Sequence, residues 1–105
     1  MPALLPMMLT AGFVLLAADK VPDFNIDPTC RSATNASPGR TIDICRQDER
    51  DARAQLEKDW SRYTAKDRAS CIRLSTLDGN PSYVEVLTCL EIAAEAAKAA
   101  IENKI

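Results

Sequence analysis

Four cysteines, Cys30, Cys45, Cys71 and Cys89, are the residues of this 105-residue chain best suited to covalent chemistry. No two of them stand in C-x-x-C spacing. That argues against a zinc site built from paired thiolates and against a thiol oxidoreductase motif at a helix start. The chain has no histidine, which removes the commonest general base, the Ser–His and Cys–His nucleophile pairs and imidazole metal ligands. An even set of cysteines in so small a chain reads as two structural disulfides. Each would contribute about 3 kcal/mol by restricting the unfolded chain. The sharper alternative is a redox-responsive pair in which one bond cycles.

The elements that must position these thiols read as helices. Residues 41–62 form a long one: Thr41 is a plausible N-cap after Pro38, Gly39 and Arg40, with Asp43 in the first turn. Cys45, Ala52, Leu56, Trp60 and Tyr63 share one face, interrupted by Glu49, which can pair with Arg53 four residues on. Asp48, Glu49 and Asp51 are the densest acidic group, but Arg46, Arg50 and Arg53 lie among and beside them, so the patch is a poor cation site. Thr64 with Asp67 opens a short helix to about residue 74. Residues 77–81 turn the chain.

The last segment is the strongest helix and the expected spine. Ser82 and Glu85 form a capping box, in which the Glu85 carboxylate would reach back to the Ser82 N–H. Tyr83, Leu87, Leu90, Ala94, Ala97 and Ile101 then recur at steps of four and three, and Val86, Cys89 and Ala93 widen that face. The alanine-rich end has high helix propensity and little bulk, so another helix can approach it closely.

Helix lengths select among the three possible pairings. A helix over residues 41–62 is roughly 33 Å long. If the short helix folds back on it, Cys71 lies beside Glu57, about 18 Å along the axis from Cys45. Disulfide Cα atoms must come within about 7 Å, so Cys45–Cys71 fails. Cys45–Cys89 fails for the same reason, whichever way the last helix runs. The expected pairs are Cys30–Cys45 and Cys71–Cys89.

Residues 3–18 carry no charged side chain and end at Asp19-Lys20. The stretch reads as an export signal cleaved after Ala18. The competing reading is an uncleaved membrane anchor, although the stretch is shorter than the roughly 20 residues a spanning helix needs and contains Pro6 and Gly12. Residues 19–40 read as an irregular arm punctuated by Pro22, Pro28, Pro38 and Gly39, with one helical turn near residues 27–33. Asn35-Ala36-Ser37 matches a glycosylation acceptor, a three-residue pattern that is common by chance.

The segments CRQDE at Cys45, LEKDW at Leu56, RASC at Arg68 and above all SYVEVLTCLE at Ser82 resemble a group of small, uncharacterised exported proteins of alphaproteobacteria such as rhizobia. The resemblance spans about residues 30–97. It implies a bacterial periplasmic or secreted protein and carries over no catalytic or binding residue.

The chain therefore reads as an all-α, disulfide-stapled three-helix domain, long–short–long, over residues 41–105, behind a signal peptide at 1–18 and an arm at 19–40. Net charge is −2 with interleaved signs, which argues against nucleic acid or an anionic membrane as partner. The expected function is a non-catalytic periplasmic module that binds another protein or serves structurally. Trp60, Tyr63 and Tyr83 are its candidate aromatic anchors, although core packing is the more common use of each. No catalytic residue, metal or cofactor is assigned. The alternatives are the redox-responsive protein and a membrane-tethered accessory subunit.

Overall fold

A computed structural model describes residues 19–36, 39 and 41–103 of the chain. The expected signal or anchor at residues 1–18 lies outside these. Among these residues four helices follow in order: α1 Asp27–Ala36, α2 Ile42–Asp59, α3 Ala65–Thr76 and α4 Tyr83–Asn103, with a 3₁₀ turn Trp60–Arg62 after α2. Among the described residues there is no strand. No described helix is long and apolar enough to cross a membrane.

The helix starts follow from their caps. Thr41 accepts from the Ile44 N–H, and Thr64 accepts from the Asp67 N–H. Asp43 and Asp67 each sit in the first turn, where the helix dipole favours an anion. After α3, Gly79 adopts φ 78°, the left-handed conformation that lets the chain turn toward α4.

The arm differs from the irregular segment expected of it. Where one turn was predicted, α1 runs for 10 residues. Pro28 reads as a breaker but stands in the first turn, where its missing N–H is not needed. Tertiary contacts then hold the helix: Asp27 pairs with Arg46, Thr29 Oγ1 donates to the Pro81 carbonyl, and Cys30 is bonded to Cys45.

Both disulfides join neighbouring helices. Cys30–Cys45 ties α1 to the start of α2, with Cα atoms 5.5 Å apart, and Cys71–Cys89 ties α3 to α4 at 5.7 Å. Such bonds persist in an oxidising compartment, as outside the cytoplasm. The core lies between α2, α3 and α4. Leu56, Val86 and Leu90 are fully buried, with Ala52, Trp60, Tyr83 and Cys71 around them. Each large apolar side chain in this set contributes about 1.5–3 kcal/mol by leaving water.

The arm packs on this core through Val21, Phe24 and Ile26. The Tyr83 hydroxyl holds it in both directions, donating to the Pro22 carbonyl and accepting from the Phe24 N–H, each at 2.7 Å. Arg53 pairs with Asp23 and lies over the Tyr83 ring at 5.4 Å. The Asp23 hydrogen bond is the main reason the Arg53 guanidinium is held still more firmly in its charged form.

We expect Tyr83→Phe to keep the ring in the core and strand the Phe24 N–H. The cost should be about 1–3 kcal/mol by denaturant titration. Amide exchange should accelerate at Phe24 before it does in α2 or α4. Uniform acceleration across the helices would show that the hydroxyl does not hold the arm specifically.

Candidate functional site

The site is built at the start of α4, where a carboxylate from α2 enters the core. Glu49 is only 4% exposed. Its Oε1 accepts from the Tyr83 N–H and its Oε2 from the Ser82 hydroxyl, both at 2.6 Å. Ser82 Oγ in turn accepts from the Glu85 N–H at 3.2 Å. Ser75 of α3 completes the knot: its hydroxyl donates to the Ser82 carbonyl and accepts from the Ser82 N–H. A buried ion of this kind is tolerated only when its lone pairs are taken up, and a helix N-terminus supplies the donors.

Two sequence expectations are corrected here. Glu49 is not a break in the apolar face of α2 but a buried part of it, and it does not pair with Arg53, which turns to Asp23 and Glu57. The capping box is also only half formed. Ser82 caps the Glu85 N–H, but the Ser82 N–H is taken by Ser75, and the acid that caps the helix start comes from α2.

This knot fixes the register of the α3–α4 hairpin. Ser75 lies against Ser82 and Cys71 against Cys89, so the two helices run antiparallel. Between them opens a shallow groove of about 370 Å3. The Cys71–Cys89 disulfide, Leu74, Val84, Thr88 and Ile92 line it, with Ser75 and Glu85 at its end. Val84, Thr88 and Ile92 stand one turn apart on α4. Leu74 is 56% exposed, Val84 39% and Ile92 64%, while Leu77, beyond the end of α3, is 73% exposed.

The predicted aromatic anchors fall elsewhere. Trp60 and Tyr83 are buried in the core and present no docking surface. Trp60 carries Arg68 over its ring at 5.7 Å, and its buried Nε1 has no hydrogen-bond partner among the described residues. Tyr63 is half-buried and borders a second groove with Ala94, Ala97 and Ile101. Desolvation, then the charges of Asp59 and Glu91, push the Tyr63 hydroxyl above its ordinary pKa, so it stays a donor. Among the described residues no three His, Cys, Asp or Glu side chains converge as a metal site.

The expected core stripe of α4 holds only over its first half: Tyr83 and Leu90 are buried and Leu87 half-buried, whereas Ala94, Ala97 and Ile101 are exposed along the groove beside Tyr63. The sequence pattern also passes over Val84 and Ile92. Both lie off the Tyr83–Leu90 line. Two large apolar residues two turns apart and outside the core stripe were the available signal.

No known protein family, curated protein or solved structure matches the chain.

Glu49→Ala should leave the Ser82 hydroxyl and Tyr83 N–H without acceptors and cost about 3 kcal/mol or more. Glu49→Gln, which keeps an acceptor oxygen, should cost clearly less. Equal losses in thermal melts of the two variants would show that volume, not hydrogen bonding, is what Glu49 provides.

A second expectation concerns pH. Partial desolvation, then the charges of Asp78 and Glu49, raise the Glu85 carboxyl above its ordinary value of 4.5. The folded state therefore holds that proton more tightly than the unfolded chain, and ionising Glu85 costs stability as pH rises through the window above 4.5. Glu85→Gln should gain melting temperature relative to the parent at pH 7, and the gain should shrink as pH falls below that window. A gain that is the same at both pH values would remove Glu85 as the titrating group.

Proposed function

We propose that this chain is a non-catalytic helical module of an oxidising compartment outside the cytoplasm, periplasmic or secreted, and that it docks another protein on its α3–α4 face. The observation that carries the reading is the cluster of Leu74, Val84 and Ile92, exposed around a groove floored by a disulfide. Scattered exposed apolar residues are ordinary, but a contiguous set between two fixed helices is the composition of an interface centre. The burial of Cys30, Cys45 and Cys71 supports a structural role for the bonds over a cycling one, since attack needs access to a sulfur. A chain without histidine and with carboxylates mostly on solvated helix faces supports the non-catalytic half of the reading.

A photocrosslinking residue placed at Ile92 should trap a partner in the native compartment, and one at the exposed Glu57, on another face, should not. Leu74→Ser and Ile92→Ser should suppress an adduct formed from position 88 while changing stability by no more than about 0.5 kcal/mol, as surface substitutions do. A loss of about 2 kcal/mol or more from either serine variant would show that these side chains hold the fold, and the docking reading would lose its motive.

A further inference from the structure

The apolar groove has an acidic neighbour. Across the ridge formed by Val84 and Glu85 lies a second depression of about 450 Å3, and both hollows share those two residues. Glu49, Asp78 and Glu85 contribute carboxyl groups to it, and no basic side chain lines it. Glu49 is satisfied by the start of α4. Asp78 accepts only the Asn80 N–H, and neither Asp78 nor Glu85 has an ion-pair partner among the described residues. The crowding is felt at Glu85, whose carboxyl is pushed up by desolvation and by the other two charges.

The two hollows make one composite surface. On one side of the ridge an apolar side chain can leave water over the disulfide. On the other, a cation can settle against carboxylates that lack one. From Val84 to Ile92 the face spans about 12 Å, or roughly two helical turns. Side chains three or four residues apart on a helix lie about 5–6 Å from each other, enough to straddle the ridge.

Resting on the protein-docking reading above, we propose that the α3–α4 face receives a helical segment of a partner protein which sets an apolar side chain over the Cys71–Cys89 floor and a lysine or arginine, one turn away, against Glu85 and Asp78. Leu74 and Ile92 flank the apolar half, and the unneutralised carboxylates select the sign of the other half. An anionic lipid surface is repelled by the same carboxylates.

The test uses the oxidised full-length protein, ¹⁵N-labelled, and two synthetic helical peptides with the same leucine face. One peptide has lysines flanking that face and the other has glutamates. The lysine peptide should shift the amide signals of Val84, Thr88 and Ile92, and its binding should weaken as salt rises. The glutamate peptide should bind roughly tenfold more weakly or not at all. The Asp78→Asn, Glu85→Gln double variant should weaken the lysine peptide roughly three- to tenfold, the sum expected of two surface ion pairs. Equal binding of both peptides at the groove would overturn the cation requirement and leave the docking reading standing. Silence at the α3–α4 signals with both peptides would overturn both. Concentration-dependent shifts of those signals without peptide would assign the face to a second copy, and shifts with zwitterionic vesicles would assign it to a lipid surface; either result overturns the proposal.

Discussion

One buried carboxylate holds the arrangement together. Glu49 reaches from α2 to the first N–H of α4 and to the Ser82 hydroxyl, and Ser82 is held from the other side by Ser75 of α3. Three helices thus meet at one hydrogen-bonded point. Apolar contact alone does not fix how far one helix slides along another, because neighbouring registers bury similar area. A charge taken out of water is far less forgiving: displaced by one residue, Glu49 would face no donors and keep its full desolvation cost. The network therefore sets register, and the greasy core supplies most of the attraction.

The disulfides act on the other side of the equilibrium. They join residues 15 and 18 positions apart in sequence, so each removes conformations chiefly from the unfolded chain. They sit on either side of the Glu49 network, one at the α1–α2 junction and one on the α3–α4 hairpin. A core whose fully buried larger aliphatic side chains, among the described residues, are Leu56, Val86 and Leu90 needs such help, because chains of this size bury a modest fraction of their surface. Neither staple lies on the α2–α4 contact. That contact is left to noncovalent packing of Ala52, Leu56, Val86 and Leu90, to Arg53 over the Tyr83 ring, and to Glu49.

Legibility in the sequence tracked how local the cause was. The caps at Thr41 and Thr64 depend on residues within three positions and were readable. So was the all-helical, stapled architecture, because helix length alone restricts which thiols can meet. Glu49 was not readable, since a carboxylate in an apolar stripe looks the same whether it meets water or another helix's N-terminus 34 residues away. The half-formed capping box failed for the same reason: Ser75 outcompeted Glu85 for the Ser82 N–H. Pro28 misled because proline breaks a helix or begins one depending on position, and what anchors α1 comes from Arg46, Cys45 and Pro81. At the surface, Leu74 and Ile92 carry no mark of exposure in their type. Only the packing of α3 on α4 shows which apolar residues are left over.

Those leftovers acquire meaning from how rigidly they are presented. The groove has a covalent floor, its end is fixed by the Ser75–Ser82 bonds, and its α4 wall begins at a capped helix start. A surface held in place before binding loses little conformational freedom on binding, so a small contact area can still give useful affinity. The same logic separates the docking and redox readings at a single bond. Docking requires Cys71–Cys89 to stay closed, because opening it would release the floor on which Leu74 and Ile92 stand. A redox cycle requires that same bond to open, and Cys71 is buried while Cys89 is only half-buried beneath the groove. A partner seated there would cover the more accessible sulfur. On the proposed docking reading, occupancy of the face and reduction of its floor are therefore opposed, and in the structure the bond is closed, with its Cys71 side buried.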